Sequence, residues 1–145
     1  KRPPEAPATN FAIMRDLFLA IMILSGLFLT TGCTKDQSEI GKSADITFRM
    51  DSSYTWRDDT VPLSDTLHIG VIATKGSNTL RSLFVHVAYD NGPAVRQDSV
   101  HIDSNPFNFE KTVVTRDQAG TEKWTFSVVE NNGDITKRSL TFTVQ

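Results

Sequence analysis

The sequence predicts an all-β fold, a single antiparallel β-sandwich of about seven strands over residues 44–145. Three observations carry this prediction. Beyond Cys33 the apolar residues recur with period two, and the runs that hold them are rich in β-branched and aromatic residues. Clusters of Gly, Asn, Asp and Ser separate the runs at regular intervals.

Strands are expected near 45–50, 66–73, 80–89, 95–102, 107–115, 122–130 and 135–144. In the second, Leu67, Ile69 and Val71 alternate with His68 and Gly70. In the third, Leu83, Val85, Val87 and Tyr89 alternate with Phe84, His86 and Ala88. Near the end, Trp124, Phe126 and Val128 alternate with Thr125, Ser127 and Val129, and Leu140, Phe142 and Val144 with Thr141 and Thr143. Strict alternation buries one face of a strand and leaves the other wet. Turn signals stand at Lys75–Asn78, Asp90–Pro93, Asp103–Pro106, Asp117–Gly120 and Asn131–Asp134, where Gly and Asn accept the positive φ of tight turns. No stretch of this region carries a helical apolar stripe bounded by caps.

The final hairpin, WTFSVVENNGDITKRSLTFTV from Trp124 to Val144, resembles that of bacterial immunoglobulin-like domains. The resemblance implies an Ig-like sandwich that serves as a non-catalytic binding or structural module. A jelly roll or a fibronectin-type sandwich would show much the same pattern. The disulfide of antibody domains has no counterpart, because Cys33 is the only cysteine. A tyrosine corner is not evident, since Trp124 occupies that neighbourhood.

The N-terminal part is different in kind. From Leu17 to Leu29 the run LFLAIMILSGLFL is apolar except at Ser25 and Gly26. Met14-Arg15-Asp16 precedes it and Thr30-Thr31-Gly32-Cys33 follows. This is the layout of a helical signal peptide over 14–32. Gly32 followed by Cys33 resembles a lipobox, with Thr30 where that family usually has Leu. The resemblance implies a bacterial lipoprotein, cleaved between Gly32 and Cys33 and lipidated on the Cys33 sulfur. Its place is then the cell envelope, anchored to the outer membrane on the periplasmic or the surface side. The alternative is an uncleaved membrane helix, which needs about 20 apolar residues. Residues 1–13 are expected to be an over-extended N-terminus ahead of a true start at Met14; a genuine cytoplasmic extension is the other reading. Residues 33–43 are polar and charged, as a tether is. Within them Thr34-Lys35-Asp36 resembles the short Lys-acid signals of surface-exported lipoproteins of Bacteroidetes-type bacteria.

Net charge is −2, and a chain cleaved before Cys33 carries −3, so nucleic acid is not an expected partner. The expected partners are the membrane, through lipid, and a glycan or an envelope protein; the domain itself is expected to be a monomer. No cofactor is expected. His68, His86 and His101 fall on three different predicted strands, without the spacing of metal ligands. Asp51, Asp58, Asp59 and Asp65 lack the pattern of a calcium loop and are read as solvated loop acids rather than a hydrolase pair. No serine lies in a G-x-S-x-G setting. The chain is therefore not expected to be an enzyme. Tyr54 and Trp56, in DSSYTWRDDT, project to one face of an extended segment. They are the candidate glycan-binding pair, with Arg57 and Asp58 to hydrogen-bond hydroxyls. Alternatively both rings cap the end of the core.

Overall fold

The computed structural model describes residues 41–145. Gly32, Cys33, the signal segment 14–32, residues 1–13 and most of the 33–43 tether lie outside the described residues. Eight strands form: β1 (Asp45–Phe48), β2 (Asp59–Val61), β3 (Thr66–Thr74), β4 (Leu80–Tyr89), β5 (Val95–His101), β6 (Phe107–Val114), β7 (Gly120–Glu130) and β8 (Ile135–Val144). They build a three-stranded sheet, β1-β3-β6, and a five-stranded sheet, β2-β8-β7-β4-β5. This is an immunoglobulin-like sandwich: β1, β3 and β6 take the places of strands A, B and E, and β8, β7, β4 and β5 those of G, F, C and C′.

The seven expected strands are all present, with ends within two residues of expectation. The eighth, β2, lies in a segment read from sequence as a polar loop. It is only three residues long and buries only Val61, too little to register as alternation. It pairs parallel to β8, with Asp59, Thr60 and Val61 opposite Phe142, Thr143 and Val144, so the sandwich is not wholly antiparallel. Asp58 and Asp59 are both exposed at this edge. The Asp58 carboxylate accepts the Thr141 N–H at 2.8 Å, and that of Asp59 accepts the Thr60 N–H at 2.8 Å. Asp58 thus ties the segment leading into β2 to β8, while Asp59 bonds within its own strand.

The inward residues of the two sheets form one core. Ile46, Ile69, Val71, Ala73 and Val113 face Leu83, Val85, Val87, Phe126, Val128 and Phe142. At its centre the Phe48 and Phe126 rings meet edge to face, 5.6 Å apart at 76°, a preferred aromatic geometry. Polar side chains close both open seams between the sheets. Along one, Thr136 Oγ1 donates to the Ala44 carbonyl at 3.2 Å and Arg138 Nη1 to the Ile46 carbonyl at 2.7 Å. Along the other, Lys111 of β6 meets Asp98 of β5 at 3.2 Å.

The corner between β6 and β7 is built around an acid. Glu122 is buried; its carboxylate accepts the Arg116 backbone N–H at 2.7 Å and the Trp124 indole N–H at 3.0 Å. It occupies the start of the F-type strand, where a tyrosine corner would bond back to the preceding loop, and makes that link with the acceptor on the side chain. The Arg116 guanidinium completes the corner, donating to the Gln118 and Ala119 carbonyls and to Asp90 at 2.6–2.8 Å. Gly120 has φ +151°, and a Cβ there would fall 1.9 Å from Arg116 Nη2, so only glycine fits.

Glu130 is the contrast. It is the last inward residue of β7, fully buried, and among the described residues neither carboxylate oxygen has a hydrogen-bond partner. A buried polar group without a partner is destabilising. Glu130→Met, similar in volume and apolar, is expected to stabilise the domain by about 1–3 kcal/mol, read from the urea midpoint at constant m.

Asp90 makes stability depend on pH. Its carboxyl is held below the usual carboxylate range by the Thr121 N–H first and by Arg116 second. A group whose folded pKa is depressed contributes above its unfolded value, about 4, and loses that contribution as pH falls through the folded value. Asp90→Asn is therefore expected to lower Tm at pH 7, with a deficit that shrinks as pH falls through the folded value of Asp90, read from thermal melts across an acid pH series.

Candidate functional site

The alternation that buries one side of β4, β7 and β8 sends the other side outward, and the register aligns these outward residues in rows. Val129 of β7 lies between Ser82 and Ile135, Ser127 between Phe84 and Lys137, and Thr125 between His86 and Ser139. Ser127 thus lies between two long side chains, Phe84 and Lys137, while Thr125 has His86 on one side and Val129 has Ile135 on one side. The result is an open trough of about 630 Å³ running along β7. Between Lys123 and Val129 it extends about 20 Å, from the rise per residue of a strand.

One wall is a stack. The Arg96 guanidinium of β5 lies 4.9 Å from the centre of the Phe84 ring, and the Phe84 and His86 rings are 6.5 Å apart. The opposite wall is Ile135 and Lys137. On the floor, Thr125 and Ser139 share a hydroxyl–hydroxyl hydrogen bond of 2.9 Å. The ends differ: Val129 and the largely exposed Ile135 make one end apolar, and Lys123 makes the other cationic.

Charge is segregated. The outward positions of β4, β5, β7 and β8 include Arg96, Lys123, Lys137, His86 and His101 and no carboxylate. Asp98, Glu122 and Glu130 of β5 and β7 all point inward, and Asp58 stands at the far edge beside Thr141. On this face the exposed acids Asp58 and Asp59 are confined to the β2 edge, beside Thr141 and Thr143, and the trough itself is lined by no carboxylate.

The outer face of the three-stranded sheet is partly covered. Past the end of β1 the chain still follows β3, with the Arg49 N–H bonded to the Gly70 carbonyl at 2.9 Å and the Thr55 N–H to that of His68 at 2.7 Å. Between these bonds the chain turns and lays Arg49 and Tyr54 on Gly70, where a Cβ would come within 2.9 Å of both side chains. The Arg49 guanidinium lies 4.3 Å from the Tyr54 ring centre and bonds the phenol oxygen at 2.9 Å. The Tyr54 hydroxyl donates to Glu110, which also pairs with Arg49 at 2.7 Å.

The residues singled out from sequence are therefore dispersed. Neither Tyr54 nor Trp56 caps the core: Tyr54 rests on an outer sheet face, half-buried, with one ring face under Arg49. Trp56 remains 38% exposed, with Arg57 5.4 Å from its ring centre. Each ring has its own cationic neighbour. His68 is on the outer face of the small sheet, its ring 3.2 Å from the Thr112 hydroxyl, whereas His86 and His101 are on the large sheet. Among the described residues no three of His, Cys, Asp and Glu stand together as metal ligands would. Asp51 pairs with Arg49 at 3.3 Å and Asp65 accepts the Thr66 N–H at 2.8 Å.

The trough residues were missed from sequence as a site. Each appears there as an ordinary outward position in an alternating strand. The usable signal was the pair of small residues Thr125 and Ser127 within a run of otherwise bulky ones, but their flanking walls come from strands far away in sequence.

No family model matches the chain, and no curated protein matches it. Among solved structures it is similar to the sensor domain of the anti-sigma factor RsgI4 of Pseudobacteroides cellulosolvens, at 13% identity and TM-score 0.46, covering 70% of this chain and 93% of that one. It is also similar to a CARDB domain from Pyrococcus furiosus, solved in complex with di-metal ions, at 14% identity and TM-score 0.43, covering 73% and 90%. At these identities neither likeness bears on what this chain binds.

The Tyr54 cluster is open to direct measurement. The phenol is held above its ordinary value of 10.0, first by its hydrogen bond to Glu110 and then by burial, while Arg49 opposes both. Glu110→Ala is expected to bring the Tyr54 titration back down, seen as an earlier tyrosinate absorbance rise that is absent in a Tyr54→Phe background.

Proposed function

We propose that this chain is a bacterial lipoprotein, anchored through lipid on Cys33 to the outer membrane, whose Ig-like domain is a non-catalytic module that binds another envelope component. The observation that carries the binding reading is the open, cation-rimmed trough on the five-stranded sheet. It runs along the central strand from Lys123 to Val129, and the charged groups that line it, Lys123 and Lys137, are donors. The anchor reading is supported by the sequence: an apolar run of signal-peptide length ends in small residues and then Gly32-Cys33. In such a protein the thiol gains a diacylglycerol and the freed amino terminus an acyl group, because a single chain holds a protein to a membrane only marginally. The short tether then keeps the module close to the membrane, where its partner is met at high effective concentration.

Surface glycan binding is the second reading. It is favoured by the exposed indole of Trp56 alone, since Arg49 already covers a face of Tyr54.

Cys33→Ala is expected to abolish incorporation of a labelled fatty acid and to lose the protein from the outer-membrane fraction. Unchanged labelling and membrane retention in that variant would overturn the lipoprotein reading.

A further inference from the structure

We propose that the trough along β7 holds an extended, acidic peptide segment of a partner protein, six or so residues long, with an apolar residue at the Val129–Ile135 end. The proposal deepens the binding-module reading and rests on it. Shape comes first. The floor is built from Thr125, Ser127 and Val129 on one straight strand, so the trough has a strand's direction and pitch. An occupant of about 20 Å in extended form is about six residues.

Charge sets the sign of the occupant. Lys123 and Lys137 line the trough, Arg96 lies against its Phe84 wall, and no carboxylate is among the lining residues; the acids of this face, Asp58 and Asp59, stand at the β2 edge. Complementary charge of this kind selects partners and speeds their encounter more than it adds affinity. A carboxylate-bearing segment fits it, and a basic one is repelled.

Polarity sets its orientation. Val129 and Ile135 form an apolar end that a leucine or phenylalanine side chain can cover, removing Ile135 from water. Seryl and threonyl hydroxyls on the floor can donate to or accept from the polar groups of the occupant. A sugar polymer fits less well. It needs an open aromatic face to stack on, and here the Phe84 ring is packed against Arg96 and His86.

The test uses the full chain in detergent micelles and fluorescent, N-acetylated hexapeptides. One set alternates Asp or Glu with Ser and ends in Leu-Phe; in a matched set Lys replaces the acids. An acidic oligosaccharide, an oligogalacturonate, is the third probe. Anisotropy is expected to show binding of the acidic peptides alone, weaker at higher salt. Lys123→Glu combined with Lys137→Glu, both at exposed positions, is expected to weaken it at least about ten-fold. Ser127→Leu, which fills the floor, is expected to weaken it independently of charge. Trp56→Ala is expected to leave it unchanged. The proposal is overturned if the acidic peptides do not bind, if the lysine reversal leaves their affinity intact while far-ultraviolet spectra show a folded domain, or if only the oligogalacturonate binds. Lipid labelling of Cys33 is scored on the same samples, so loss of the trough proposal and loss of the lipoprotein reading are separately visible.

Discussion

A buried carboxylate at the start of β7 sets the geometry on which the rest of the domain depends. Glu122 ties the Arg116 backbone, at the exit of β6, to the Trp124 indole on β7. β6 belongs to one sheet and β7 to the other. The carboxylate therefore fixes how the chain leaves the first layer and joins the second. A polar group so deeply buried is tolerated because its hydrogen bonds are made. Arg116 and Asp90 then clamp the outside of the same turn, joining it to the loop after β4. With the corner set, Phe126 arrives opposite Phe48 and the inward residues of both sheets interlock. Glu130, on the same strand and the same face, shows the other outcome of burying an acid, for at the far end of the core it has no partner among the described residues.

The two outer faces have diverged for a simple reason of chain path. On the three-stranded sheet, the segment between β1 and β2 follows β3 and drops Arg49 and Tyr54 onto Gly70. A larger residue at position 70 would lift both side chains away. On the five-stranded sheet, among the described residues, no connecting segment crosses the central strand, and the trough stays open. One face is spent on holding the crossover between sheets and the other is left to meet partners. The cationic groups lie on the open one, while the acids of its strands are turned inward or held at an edge.

Much of the fold was legible because burial in a sandwich is written in period two. Leu83, Val85 and Val87, or Trp124, Phe126 and Val128, declare their faces without knowledge of any neighbour. β2 was not legible, because three residues with one buried side chain leave no period to read, and their partner strand is some eighty positions away. The histidines and loop acids looked like a scatter and are one. The Tyr54-Trp56 pair was conspicuous in sequence as two aromatics in a polar stretch. What their spacing could not reveal was the cationic neighbour each would have, or that Tyr54 would find a glycine to rest on.

By itself the sequence determined the class of fold, the strand order along the chain, the core residues, and the expectation of a lipid-bearing Cys33. These follow from local patterning, since alternation and turn chemistry act within a few residues. Only the tertiary structure decided which strands lie side by side, and therefore that Ser127 on β7 is flanked by Phe84 of β4 and Lys137 of β8. It also decided that Glu122 would stand in for the missing tyrosine corner and that one sheet face would be covered and the other bare. Such features depend on lateral register between segments distant in sequence, and no local pattern specifies it.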